Sequence, residues 1–465
     1  MNRSLDTALI QQLEAAVGKE YLTTELGDCW AYGMDNSRRH SAPAAVLFAT
    51  EHEQIAAAVR LCAQARVPVT VRGRGTGTAG GAVPLKHGLV ISTERMNKVL
   101  EFAPEDRLIV VQTGITNQAV QQAVRDAGFF WPPDPTSNAV CTVGGNLACN
   151  AAGPKAVKYG TTRDNVLGLK VVNGKGETLR TGTRTTKGVV GYDLTRLLIG
   201  SEGTLGIITE ATLKLTPLPE SKIMFRAFYR DMDSAAAAVS RLMAQPVTPS
   251  ALEFIDQMAL DLIRRYRNVD LPDAAKAMLM IEVDGPAACL KMASNAIKRA
   301  AEGKGCLELI QAENSEQAAE LWAARKALSP TLRHIAPKKI NEDVVVPVSK
   351  MPALTAALAE IAMREQITIA SFGHAGNGNI HVNLLVDPDD PAQMAGANRA
   401  LDAVFSQVLA LGGTLSGEHG IGFVKRDYVG RELDEVSLTT MRDIQKVFDP
   451  YAILNPGKKL PAADD

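Results

Sequence analysis

The chain has 465 residues, 46% of them hydrophobic, with 50 basic and 51 acidic side chains and a formal net charge of -1. That balance offers no field for a polyanion, which excludes nucleic acid as a partner class. A chain of this length exceeds the roughly 250 to 300 residues that one hydrophobic core supports, so more than one lobe is expected.

The opening MNRSLDTALIQQLEAAVGKEYL patterns as an amphipathic helix and lacks the apolar stretch of a signal peptide. No run reaches the about 18 apolar residues of a membrane span, so no transmembrane segment is expected, and peripheral attachment at an inner membrane stays open. Six cysteines, at 29, 62, 141, 149, 289 and 306, show no CxxC spacing and fit reduced thiols in a cytoplasmic setting.

EHEQIAAAVRLCAQARV (51–67) has helical periodicity and leads into the short strand PVTVRG and the loop GRGTGTAGGAVP. Strands follow near GLVIS (88–92) and RLIVVQTG (107–114), then a helix near NQAVQQAVRDAG and an irregular stretch over 129–162. That stretch is apolar and Gly-rich, and it is longer than the roughly 12 to 15 residues beyond which an idle loop is uncommon. In VTVRGRGTGTAGG (69–81) five glycines follow a strand, which suits backbone amides cradling a phosphate. No helix opens after them, so the Rossmann dinucleotide pattern fails its context. Two more clusters, CTVGGNLACNAAG (141–153) and IGSEGTLGIITEATLKL (199–215), make an idle turn the weaker reading.

A domain boundary is expected at TPLPE, near 217–219. Beyond it strands (KIMFRAFYR, AMLMIEVDG) alternate with Ala-rich helices in a βαβ-like rhythm. LWAARKALSP carries Arg325, whose planar fork suits a carboxylate, although the same stretch also reads as an ordinary amphipathic helix with a basic edge. SFGHAGNGNIHVNLL (371–385) places His374 and His381, two of the chain's seven histidines, around a Gly/Asn turn. Strand, turn, strand is expected, with His381 and Asn383 on one side and Val382 and Leu384 on the other. LSGEHGIG (415–422) adds Glu418 and His419, and a His, His, Glu set suits a catalytic divalent metal. A flavin-free metalloenzyme of the non-haem type and a catalytically silent oxidase subunit remain as alternatives.

The ordered set RGRGTG, PPDPTS, CTVGGNLACNAAG, YG, GSEGTLGIITEATLKL, GHAGNGNIHVNLL, SGEHGIG and LNPGKKL resembles the FAD-linked oxidases of the vanillyl-alcohol oxidase type. Within them it is similar to the D-lactate, glycolate and D-2-hydroxyglutarate dehydrogenase branch, from about residue 38 onward. The resemblance implies an α+β fold: a two-lobed FAD-binding domain over 38–217 after an N-terminal helical segment (1–37), and an α+β cap domain on an antiparallel sheet over 218–425. A C-terminal segment, 426–465, would return to the FAD domain. It implies FAD contacts at Arg72, Gly73, Arg74, Gly75, Thr76, Gly77, Asp134, Ser137, Thr142, Gly144, Gly145, Gly153, Ile208 and Asn455. Thr76 stands where some relatives carry the histidine that bonds FAD, so FAD is expected without a covalent link.

The same resemblance assigns His374, His381 and Glu418 to a divalent metal, zinc ahead of manganese or iron. It gives Arg325, Asn383 and Ser329 to the substrate and makes His419 the base. The implied activity is metal-assisted oxidation of a D-2-hydroxy acid, D-lactate-like, to the 2-oxo acid, with hydride passing to flavin N5. Electrons would leave to an electron-transfer flavoprotein, a cytochrome or a quinone, and a homodimer is allowed. A D-2-hydroxyglutarate dehydrogenase or the FAD subunit of a glycolate oxidase is the alternative within the class. Members acting on 2-hydroxyglutarate carry a Lys before the DxxxP strand where this chain has Asn341, with Lys338 and Lys339 nearby, which speaks against a dicarboxylate.

Overall fold

The computed structural model describes residues 5–266, 271–332 and 335–462. The chain divides into two units: one holds the residues up to Ala152, Gly160–Leu218 and those from Glu418 on, and the other holds Gly153–Tyr159 and Pro219–Gly417. The N-terminal segment belongs to the first unit, because Leu9, Leu13 and Val17 of α1 (Thr7–Val17) are part of its core. Residues 153–159 belong to the second unit, and the chain returns to the first at 418 rather than 426.

In the first unit β1 (Leu22–Thr23), β2 (Ala45–Phe48), β3 (Val69–Arg72) and β4 (Leu89–Ser92) form one sheet in the order β1-β2-β4-β3. β2 and β3 both run parallel to β4, and the crossover after β2 is α2 (His52–Ala65). Ile55, Ala58, Val59 and Cys62 form the buried stripe of α2, the period that its sequence predicts.

A second sheet is antiparallel, ordered β5 (Val99–Ala103), β6 (Leu108–Gln112), β10 (Ile207–Lys214), β8 (Val166–Val172), β9 (Thr178–Gly182); the short β7 (Phe129–Phe130) and β11 (Thr216–Pro217) pair separately. α3 (Asn117–Arg125) and α4 (Val143–Cys149) pack on it through Val120, Val124, Val143 and Leu147. α4 lies inside the stretch expected to be irregular. Its two glycines disfavour a helix by about 1 kcal/mol each. The Thr142 side chain accepting from the Gly145 amide, together with burial of Val143 and Leu147, offsets that.

The second unit is built on a seven-stranded sheet: β15 (Cys306–Gln311), β12 (Ser221–Tyr229), β14 (Ala277–Gly285), β13 (Ala251–Ile255), β17 (Thr368–His374), β18 (Asn379–Val386), β16 (Lys338–Val345). Every neighbouring pair is antiparallel. The βαβ-like rhythm survives because β12 and β13, linked by α5 (Met232–Ala244), are separated in the sheet by β14. One face carries Met224, Phe228, Ile255, Met278, Met280, Ala370 and Phe372, and packs on α6 (Gln257–Tyr266) and α8 (Ser315–Thr331). α7 (Ala287–Ala301) lies on the other, where the Tyr229 hydroxyl donates to Ala301 O. α9 (Met351–Glu365) and α10 (Pro391–Ala410) follow in the chain. Residues 153–159 are held to this unit by Lys158 and Tyr159, both bound to Asp284.

Candidate active site

The first face of the seven-stranded sheet turns polar at one end. β17 and β18 form a hairpin through the tight turn Ala375–Asn377, closed by Gly378 at φ 69. A Cβ on Gly378 would lie 1.9 Å from Val346 O, so no other residue fits there. The register pairs Phe372 with His381 and Ala370 with Asn383. Side chains two apart on a strand share a face, so His374, His381 and Asn383 lie on one side. The two imidazoles are 5.2 Å apart at their centroids and nearly perpendicular.

Beneath them stands Glu253 on β13, opposite His374 in register and 1% exposed. Its Oε1 lies 2.5 Å from His374 Nδ1, and its Oε2 lies 2.7 Å from an Arg325 guanidinium nitrogen. Burial pushes the Glu253 carboxyl up, but His374 and Arg325 more than reverse this and hold it below the ordinary carboxylate range. Arg325, on α8, sets its guanidinium 4.6 Å from the Phe372 ring centroid. One turn earlier the indole N–H of Trp322 donates to Glu282 Oε2, which fixes the rotation of α8.

Asn383 is fully buried, and its Nδ2 donates to Ala370 O and His381 O. Asn383 Oδ1 and Arg325 Nε are buried without a hydrogen-bond partner. On β16, Asn341 faces Asn383 and Asp343 faces His381. The Lys338 amine lies 3.7 Å from the Met394 sulfur of α10. Alternation puts Lys339 on the opposite side from Lys338, the side shared with Asn341. The side chain of Ser329 lies outside the described residues.

Asp343 also anchors the next motif: its Oδ2 accepts the Gly417 amide at 2.8 Å and its Oδ1 the Ser416 hydroxyl at 3.1 Å. Glu418 is joined to Gly417 by one peptide bond and opens the last segment of the first unit. His419 Nε2 lies 3.9 Å from Glu418 Oε1.

In the first unit the loop after β3 is shaped from below. Arg72 turns its guanidinium inward to Met34 O, at 2.7 Å, and Tyr32 O, at 3.2 Å, so its side chain braces the loop. Gly73 abuts Thr142, the cap of α4, so closely that a Cβ would meet Thr142 Oγ1 at 2.1 Å. The structure thus brings the first glycine loop against the second, where the Gly144 amide is bonded to Thr113 O. A Cβ on Gly77 would meet nothing within 4 Å, and one on Gly81 only Glu202 Oε2 at 3.9 Å, which leaves open backbone for a bound group. Arg74 and Gly145 are exposed, and Thr76 and Gly144 are partly so. Asp134 and Ser137 belong to the PPDPTS bend, where Ser137 O accepts the Val140 and Cys141 amides. The Ile208 side chain lies in the core, and Gly153 falls in the second unit.

Sequence reasoning missed the centre of this region, Glu202. It is 5% exposed, and its two oxygens accept the Ile421 and Gly422 amides at 2.9 and 2.6 Å. Gly420, at φ 82, would press a Cβ against that carboxyl group at 3.1 Å. Glu202 therefore fixes the turn that carries His419. The returning tail closes the same knot: Asn455 Nδ2 donates to Glu202 O and Gly81 O, and Lys458 Nζ to Gly81 O and Asn455 Oδ1. Burial pushes the Lys458 amine down to about 7.

Two family models match the chain: "FAD linked oxidases, C-terminal domain" over residues 218–459 and "FAD binding domain" over residues 43–182. The chain belongs to the FAD-linked oxidase family. It is 38% identical over 449 residues to a glycolate oxidase subunit GlcD of Bacillus subtilis (strain 168), covering 96% of each chain. It is 36% identical over 460 residues to a D-2-hydroxyglutarate dehydrogenase of Xanthomonas citri pv. viticola, covering 97% of this chain and 96% of that one. Among solved structures, p-cresol methylhydroxylase with substrate bound superposes with a TM-score of 0.83 at 17% identity, over 98% of this chain and 97% of that chain. That likeness shows the fold. Among the described residues no helix is long and apolar enough to cross a membrane.

Proposed function

We propose that the protein oxidises a D-2-hydroxy acid of lactate or glycolate size to the 2-oxo acid with non-covalent FAD. The observation that carries this reading is the shared sheet face on which Arg325, Asn383 and the His374–His381 pair converge. The open backbone at Gly77 and Gly81 fits a bound dinucleotide. His374, with Nδ1 committed to Glu253, has Nε2 as its ligand atom, so the donor chemistry fits a divalent cation on His374, His381 and Glu418.

FAD supplies the two-electron acceptor when bound, and the cation, zinc or else manganese or iron, supplies Lewis acidity at the substrate hydroxyl. Arg325 binds the carboxylate through the donors that Glu253 leaves over. Asn383, its Oδ1 buried without a hydrogen-bond partner, is a contact for the substrate on the same sheet face. His419 takes the hydroxyl proton, held in place by the turn that Glu202 ties down. Reoxidation falls to an external carrier, an electron-transfer flavoprotein, a cytochrome or a quinone. The six cysteines, none of them in a disulfide, fit a reducing compartment.

The small substrate is favoured because Asn341, facing Asn383, presents a neutral amide. One observation favours a second reading, D-2-hydroxyglutarate: Lys339 shares the Asn341 side of the strand about 7 Å further along. Anaerobic titration of purified protein with D and L forms of lactate and 2-hydroxyglutarate, and with glycolate, separates the two. Bleaching by D-lactate or glycolate that is unchanged in Lys339→Ala supports the first reading; bleaching by D-2-hydroxyglutarate alone, lost in that variant, supports the second. A protein that takes up no flavin sinks both.

A further inference from the structure

We infer that Glu253 is a positioning residue that sets the metal ligand His374 and the carboxylate anchor Arg325 with the two oxygens of one carboxylate. The inference rests on the functional reading above and deepens it, since neither the glycine nor the histidine motifs contain this residue. Glu253 is 1% exposed in a strand whose other residues, Ala251, Leu252, Phe254 and Ile255, are apolar and equally buried. A carboxylate in such a place persists only when both oxygens are matched by charge or hydrogen bonds. Here one oxygen meets the His374 ring nitrogen at 2.5 Å and the other the Arg325 guanidinium at 2.7 Å.

Each contact fixes a property that the chemistry needs. A carboxylate only accepts, so His374 Nδ1 carries the proton and the lone pair lies on Nε2, in the tautomer that ligates. On the other side, the ion pair and the Phe372 ring hold the guanidinium plane and leave its remaining donors, Nε among them, for a bound carboxylate. Register makes the arrangement possible: Glu253 is the cross-strand partner of His374, and α8 brings Arg325 over the same face.

An amide cannot replace this carboxylate. Gln at 253 offers one acceptor, and its NH2 group would confront either the His374 N–H or the guanidinium as donor against donor. Glu253→Gln is therefore expected to lower zinc affinity, read by competition with a chromophoric chelator, by about 10- to 100-fold. KM for the D-2-hydroxy acid should rise about 10-fold, while flavin content and reduction by dithionite stay at wild-type levels. A residue of purely structural importance would lower the melting temperature and leave zinc affinity and the split between KM and kcat unmoved.

Should that variant fail to fold, wild-type protein labelled with 15N-histidine reads the tautomer directly, with His374 assigned by its loss in His374→Gln. A protonated Nδ1 is expected; a protonated Nε2 overturns the inference. Failure of the underlying reading looks different: wild-type protein then binds no zinc. Wild-type and Glu253→Gln proteins binding zinc equally, with equal KM, overturn the role of Glu253 alone.

Discussion

The two units build their sites from different parts of the chain. In the first, backbone does most of the work: glycine loops present amides and carbonyls, and a few buried side chains, Arg72, Glu202, Asn455 and Lys458, hold those loops in shape. In the second, the polar side chains of Glu253, His374, His381 and Asn383 share one face of a regular sheet, and the backbone spaces them. A phosphate-rich cofactor is met by many equivalent donors, whereas a small chiral acid needs a few groups at fixed places. Lesions in the second unit should therefore abolish chemistry with cofactor retained, and lesions in the first should loosen the cofactor or the turn that presents the base.

The largest effect is expected from His381→Ala. Flavin reduction by the hydroxy acid should fall by roughly 10³-fold, about 4 kcal/mol of transition-state stabilisation. Flavin absorbance and dithionite reduction should persist, as stopped-flow under anaerobic conditions can check. Loss of flavin in this variant would break the division of labour. His419→Gln should slow the same step by about 10²-fold, the lower end of what a positioned general base contributes, with zinc stoichiometry unchanged by metal analysis.

Glu202→Gln sharpens the contrast, because it touches no substrate. One of two amides, the part-buried one of Ile421 or the buried one of Gly422, loses its acceptor, at a cost of about 1 to 3 kcal/mol. A lower melting temperature, a kcat reduced more than KM is raised, and weaker flavin retention on gel filtration are the expected signs. An unchanged kcat would remove Glu202 from the positioning of His419.

The smallest effect concerns pH. Lys458 titrates at about 7 in the folded chain against an ordinary 10.5. Between those values the unfolded chain holds more protons, so stability rises with pH across that window and is flat below it. Lys458→Met should abolish that rise in melting temperature between pH 7 and 10, and should destabilise by about 1 to 3 kcal/mol, since Gly81 O and Asn455 Oδ1 lose a donor.

Much of the first unit was legible because glycine has a distinct steric signature, and the loops after β3 and before α4 stood out in the sequence. The helix α4 did not: VGGNLAC has poor propensity, and only its cap and the core beneath it make it helical. The alternation in NIHVNLL placed His381 and Asn383 together before any fold was known. Glu253 left a faint signal in ALEFI, a carboxylate inside an apolar run, but nothing in that run names its partner 121 residues away. Glu202 was hidden for the same reason, lying next to a conspicuous glycine motif while its partners, the amides of Ile421 and Gly422, sit 219 and 220 residues on.

The sequence by itself determined the residue types and their local geometry: period-2 strands, periodic helices, glycine turns, and the His, Glu and Arg groups of the candidate site. Those follow from steric and propensity rules that act over a few residues. The tertiary structure alone decided which distant groups share a charge: that Glu253 serves both His374 and Arg325, that Arg72 spends its guanidinium on carbonyls, and that Lys458 is buried. Those outcomes depend on sheet register and desolvation, which exist only once the strands have paired.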